Sequence, residues 1–253
     1  MNEESIFNFL LIGWFVLAAA VFVVLFFVTA PYGRHIRRGW GPSISNRLGW
    51  IIMEAPAPLV FAAMFVIGDN RVTISTVIFL SLWLTHYIHR AFIYPFSLHS
   101  NNSRMPLFII TSAILFNAVN GYLNGRYIFT FSDGYVNQWL TDPRFIVGIL
   151  LFVAGYGINR QADNTLRRLR LPEEFSYKVS NEGLFRWVSC PNYFGEIMIW
   201  TGWAVATWSL PGLAFAVWTT ANLVPRARAH HTWYLKNFPE YPTERKTLLP
   251  KLW

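Results

Sequence analysis

The chain has 253 residues, 54% of them hydrophobic and only 13% charged. Soluble domains carry about a quarter charged residues, so this composition excludes a surface that meets water on every side. The formal net charge of +8 and pI near 9.8 raise nucleic acid as a partner, but the placement of the charges along the chain gives them another role. A single cysteine, Cys190, allows no internal disulfide and reads as a small buried residue rather than a reactive thiol.

The apolar residues come in long runs. Ile6 to Ala30 contains no charge, and a helix of that length exceeds the ~30 Å hydrocarbon core of a bilayer. Its start is acidic (Glu3, Glu4) and its length is too great for a cleaved signal peptide, so 6–30 is read as a span. Further spans are predicted at 49–68, 72–95, 105–124, 143–163, 195–207 and 209–229. Between the last two, Trp208-Ser209-Leu210-Pro211 reads as a tight turn with Pro211 opening the next helix, which makes a hydrophobic hairpin. Twelve Trp and eleven Tyr suit a chain that crosses two membrane interfaces. The expected fold class is all-α integral membrane, with seven transmembrane helices, no Rossmann domain and one membrane domain over 1–253. The polar segments 160–194 and 230–253 are too short for a second, soluble domain.

Basic residues set the expected orientation. With the N-terminus outside, all but three of the 21 Lys and Arg fall in the first, third and fifth loops, the tail and the adjoining helix ends; the exceptions are Arg71, Arg126 and Arg144. The positive-inside rule then gives a cytoplasmic C-terminus, and that arrangement needs an odd number of spans. Topology thereby accounts for the basic pI, and no nucleic-acid partner is implied.

Ionisable side chains inside spans are costly and default to functional candidates. Glu54 lies in Trp50-Ile51-Ile52-Met53-Glu54-Ala55-Pro56, with no charge nearby in the sequence to pair with; a packing hydrogen bond between helices is the plainer alternative. The third span ends in His86, Tyr87, His89 and Arg90, with His86 and Arg90 on one face and Tyr87 about 100° away. Six histidines, at 35, 86, 89, 99, 230 and 231, form no repeated boxes, so no metal site is expected. Asn117, Asn120, Gly121 and Asn124 line the fourth span as a polar stripe, open to ligand contact or helix packing. Asn159, Asp163, Arg167 and Arg170 share a face at the end of the fifth. Asp163 can bond a ribose hydroxyl and Arg170 can fork onto phosphate, or the row can be an ion-pair ladder on a solvated helix end. Asn192 with Glu196, and His230 with Tyr234, are again four apart. Converging donors and acceptors at one membrane boundary suit a large polar ligand with phosphates. No G-x-G-x-x-G follows a strand-like segment and no Walker pattern occurs, so a nucleotide would bind without a Rossmann fold.

Several of these groups lie in motifs that resemble the steroid 5α-reductase family. They are Gly157-Ile158-Asn159 through Asp163, Leu166-Arg167-Arg168-Leu169-Arg170, Phe175-Ser176-Tyr177-Lys178, Gly183-Leu184-Phe185, Asn192-Tyr193-Phe194-Gly195-Glu196, Ala206-Thr207-Trp208-Ser209-Leu210-Pro211, Arg228-Ala229-His230-His231 and Tyr234-Leu235-Lys236. The resemblance covers nearly all of 145–253. It is sparser before that, in Met53-Glu54 and His86-Tyr87-Ile88-His89-Arg90.

The resemblance implies a seven-helix membrane reductase that uses NADPH to saturate the 4,5 double bond of a 3-oxo-4-ene steroid taken from the lipid phase. It implies Glu54 and Tyr87 as the pair that holds the substrate ketone. Asn159, Asp163, Arg170, Tyr177, Asn192, Glu196, His230 and Tyr234 are implied as cofactor contacts, together with Arg104. On this reading 1–142 holds the substrate-side helices and 143–253 the cofactor region, in an endoplasmic reticulum or bacterial inner membrane, with lipids as neighbours and no obligate protein partner. Met53 stands where a Gln often precedes the catalytic Glu, and Lys178 replaces a frequent Arg, so one substrate bond and one phosphate contact depart from the pattern. Hydride attack on the enone would drive charge onto the carbonyl oxygen, where a Tyr hydroxyl and a neutral Glu54 could stabilise it. Pro191 to Glu196 is also similar to isoprenylcysteine-type membrane methyltransferases. Those show Arg followed by paired Glu near the C-terminal helix, whereas this chain has Arg228-Ala229-His230-His231. An enoyl-thioester reductase of fatty-acid elongation is a further alternative.

Overall fold

The structure is a computed structural model that describes residues 2–37, 39–69, 72–97, 103–169 and 177–253. The described residues are overwhelmingly helical. In chain order the helices are α1 (Glu3–Phe27), α2 (Asn46–Glu54), α3 (Pro56–Ile67), α4 (Ile74–Ile88), α5 (Tyr94–Ser97), α6 (Leu107–Arg126), α7 (Pro143–Arg168), α8 (Pro191–Thr207) and α9 (Leu210–Asn237). Two short strands, β1 (Ser43–Ser45) and β2 (Arg104–Pro106), pair antiparallel. Four helical stretches are long and apolar enough to cross a membrane: Glu3–Phe27, Asn46–Ile67, Leu107–Phe131 and Pro143–Arg168. This is a membrane protein. The other three predicted spans are also helical but are not among these four. A π-helical turn, His89–Ile93, interrupts the third, α8 has only 17 residues, and α9 carries Arg226 and Arg228 in its second half.

The chain divides into two compact units. The first comprises 1–12, 31–146 and 209–211. In it the β1–β2 clip fixes where two helices begin. Ser45 caps α2 through its hydroxyl, 3.4 Å from the Leu48 N–H, and the Asn46 N–H donates to Ser103 O. α6 follows β2 directly, so α2 and α6 leave the clip side by side. Met53, Met105 and Ile110 fill the space between them. Pro56 begins α3 and Pro58 follows, so the carbonyls of Ile52 and Glu54 lose the N–H that would continue the helix. An aromatic core lies beyond this break. Phe61 and Trp83 stack at 4.3 Å, and Phe129 meets Phe61 edge-on.

The second unit comprises 13–30, 147–208 and 212–253. Its centre is a close approach of α7 and α8. A Cβ on Gly195 would lie 2.6 Å from Asn159 N and 2.7 Å from Gly155 O, so only glycine fits. Trp208 ends α8 in the left-handed region at φ 43, and α9 starts two residues later, which makes the hairpin turn expected from the sequence. Cys190 is buried against Ala227 and Leu248.

Candidate functional site

In the first unit a buried acid is held from two directions. Glu54, at the last position of α2, is 8% exposed. Its Oε1 accepts from Arg90 Nε at 3.3 Å, and its Oε2 lies 3.4 Å from Asn117 Nδ2, which also donates to Met53 O at 2.7 Å. The sequence around Glu54 offers no counter-charge; the fold supplies one from 36 positions away. Arg90 sits in the π-helical turn, a distortion that often marks functional positions, and its guanidinium also lies over the Trp50 ring. Tyr87 is buried, with its ring against Trp83 and His86 at 5.1 Å each. Trp83 is fixed by an indole bond of 3.0 Å to Ala57 O, so the ring that backs Tyr87 is anchored three residues beyond Glu54.

In the second unit the polar residues singled out on α7 and α8 form one network. Asn159 Nδ2 donates to Asn192 O at 3.0 Å and to Glu196 Oε2 at 2.9 Å. Trp200 Nε1 donates to Glu196 Oε1 at 3.1 Å, and Asn192 Nδ2 to Asp163 Oδ1 at 3.3 Å. Asn159 and Glu196 are buried, while Asp163 and Asn192 are partly exposed at the outer end. The adjacent residue, Tyr193, stacks on His230 and bonds its Nε2 at 2.9 Å. The Tyr193 hydroxyl also accepts from the buried Arg226 Nε at 3.2 Å. Tyr234 lies one turn beyond His230, stacked on Tyr241 at 5.1 Å, and Tyr177 meets Trp233 edge-on.

The tail closes over the start of α8. The Ser189 and Cys190 N–H groups donate to Lys246 O and Thr247 O. Ser189 Oγ lies 2.6 Å from His231 Nδ1 and 2.7 Å from the Tyr241 hydroxyl. Burial, reinforced by the positive charges of Arg245 and Lys246, holds the His231 imidazole below its ordinary value, and burial raises the Tyr241 phenol. Arg245 bonds Ser180 O and Asn181 Oδ1, on the strand of chain that follows Tyr177.

Asn159, Asp163, Asn192 and Glu196 are thus brought into direct contact, with His230 joined to them through Tyr193. Arg104 lies in the first unit, exposed in β2 and bonded to Ser43 of β1. Arg170 lies outside the described residues. The sequence reading missed the holding roles of Arg90 and Asn117, and also Tyr193, Trp200 and Arg226. For two of these a signal was present: Trp200 stands four after Glu196, and Arg226 four before His230.

The residues fit a nicotinamide dinucleotide. The partly exposed Asp163 and Asn192 offer a carboxylate and an amide of the kind that bond ribose hydroxyls or a carboxamide, and the Arg226 guanidinium beside His230 is of the kind that pairs with phosphate. A family model described as 3-oxo-5-alpha-steroid 4-dehydrogenase matches residues 103–253. The chain is 40% identical to the steroid 5-alpha-reductase DET2 of Gossypium hirsutum, over 98% of both chains. It is 43% identical to 3-oxo-5-alpha-steroid 4-dehydrogenase 1 of Macaca fascicularis, over 87% of this chain and 84% of that one. With the human protein of that name the identity is 42%, over 87% and 85%.

Proposed function

The chain belongs to the 3-oxo-5-alpha-steroid 4-dehydrogenase family, oxidoreductases that act on CH–CH bonds, and we propose that it reduces the 4,5 double bond of 3-oxo-4-ene steroids with NADPH. The product is the 5α-reduced 3-oxo steroid. One observation carries the chemistry: a buried carboxyl group, Glu54, held by a guanidinium and an amide within a membrane-apolar helix. A hydride added at C5 would push the C4–C5 π electrons onto the 3-oxygen as an enolate, and re-forming the carbonyl would bond C4 to a proton taken from water. The Tyr87 O–H donates a hydrogen bond to that oxygen and Glu54 fixes it from the other side, so the developing charge meets preorganised groups instead of water.

NADPH supplies the hydride when bound. Asn159, Asp163, Tyr177, Asn192, Glu196, His230 and Tyr234 would hold it, with Arg104 and Arg170 as further contacts implied by the family motifs. The remaining features of the reading concern the membrane. Seven spans with the N-terminus outside leave the basic face and the phosphates cytoplasmic, and the apolar spans admit a rigid steroid from the lipid. The same topology serves an endoplasmic reticulum or a bacterial inner membrane.

The test is purified protein in detergent with NADPH and a panel of 3-oxo-4-ene steroids, followed by product analysis. NADPH oxidation coupled to a 5α-reduced product is expected. Folded, NADPH-binding protein that reduces none of the panel would overturn the assignment.

A further inference from the structure

Arg90 and Asn117 each take one oxygen of the Glu54 carboxyl group. A carboxyl bonded at both oxygens cannot turn about its last torsion without losing a bond, so its plane is set. Arg90 approaches through the π-helical turn that follows Tyr87. Asn117 comes from a different helix, and the way it arrives is informative. α2 and α6 both leave the β1–β2 clip. Glu54 lies eight residues beyond Asn46 and Asn117 ten beyond Leu107, a rise of about 12 Å and about 15 Å. The two side chains therefore come level. Both hydrogens of the Asn117 amide point at one place, Met53 O and Glu54 Oε2, where two prolines interrupt the helix. Met53 itself packs in an apolar cluster with Met105 and Ile110, so the neighbouring side chain gives the carboxyl no donor.

We propose that Asn117 is a positioning residue that fixes the Glu54 carboxyl group for the reaction. The proposal rests on the reading of Glu54 as a ketone-holding residue. Holding a reacting group in plane matters because small displacements in such sites cost large factors in rate. The competing reading is that the amide simply ties α2 to α6. Asn124 supplies the comparison: it lies on the same face of α6, is buried, and its amide donates to Asn120 O at 3.1 Å and to Asn120 Oδ1 at 3.2 Å.

The experiment is a double-mutant cycle with Asn117→Leu and Glu54→Ala, with Asn124→Leu beside it. Asn117→Leu keeps the volume and removes both donors. It should lower kcat/KM about tenfold, chiefly in kcat, with NADPH titration unchanged. In the Glu54→Ala background the same change should cost less than about twofold, because the group it positions is gone. Asn124→Leu should lower the melting temperature comparably and leave kcat/KM within about twofold. An equal loss from Asn117→Leu in both backgrounds, or from Asn124→Leu, would assign Asn117 to packing and overturn the proposal. Wild-type turnover by Glu54→Ala would instead overturn the reading of Glu54 beneath it. If Asn117→Leu does not fold, Asn117→Ser enters the same cycle, since a hydroxyl has one hydrogen and cannot serve both acceptors.

Discussion

A hydroxyl that bonds a ketone gains most of its value as the oxygen charges. Tyr87→Phe and Glu54→Ala should therefore lower kcat/KM by about 10²–10³, the cost of one oxyanion donor, while NADPH binding survives. Glu54→Gln separates two roles. An amide still donates a hydrogen bond, so partial activity relative to Ala marks Glu54 as a neutral donor, and equal loss in both marks a need for the carboxyl group itself. Arg90 sharpens the choice, because it gives the acid a charged neighbour. Normal turnover by all three variants would remove both residues from the mechanism. At this scale the sequence was legible where partners share a helix or stand at its start. Asn159 with Asp163 and Asn192 with Glu196 are four apart, and the fold joins the two pairs. It was illegible where partners are 36 and 63 positions apart, as for Glu54 with Arg90 and Asn117. No local periodicity encodes such a meeting; it depends on a three-residue strand pair setting two helix starts.

Between elements, the seam of α7 and α8 is the most sensitive joint. Gly195→Ala would drive a methyl into backbone atoms of α7 and separate Asn159 from Glu196. A loss of about 1–3 kcal/mol is expected, read as a lower melting temperature together with weaker NADPH binding. Gly157→Ala, on α7 with nothing within 4 Å of the added carbon, should be neutral or mildly stabilising. Equal effects of the two would refute the seam. The contact of the tail with α8 carries a pH dependence. His231 has its folded value depressed, so the native state binds fewer protons there than the unfolded chain. Its stabilisation is complete above the ordinary histidine value near 6.5 and is lost as pH falls through the lower, folded value. Melting temperature should therefore drop between about pH 7.5 and about pH 5.5, with a shallower drop in His231→Asn, which keeps an acceptor but does not titrate. Parallel slopes would exclude His231 as the cause. The sequence grouped His231 with the cofactor motif and gave no sign of Ser189 or Tyr241 as its partners, since these lie 42 positions before it on one side and beyond the end of α9 on the other.

For the whole molecule, the seven-span reading makes a directional prediction. Single cysteines at Asn2 and Lys251 should label from opposite sides of sealed membranes, Lys251→Cys from the cytoplasmic face only. The native Cys190 is buried and adds little background. Labelling of both positions from one side would require an even number of spans. Helices were legible throughout because long apolar runs leave the backbone no other way to satisfy itself in lipid; the breaks within them, at Ala55 and at the π-helical turns His89–Ile93 and Tyr127–Phe131, left no mark in hydropathy. The tail contact also has a consequence in time. Ser189, just before the helix that carries Asn192 and Glu196, is bonded to Lys246, 57 positions later. At about 5–20 residues per second, a ribosome takes roughly 3–11 s to make that stretch. During that interval the Ser189 and Cys190 N–H groups have no tail carbonyls to donate to, so the nascent protein passes through a stage in which only water or a chaperone can satisfy the chain that leads into α8.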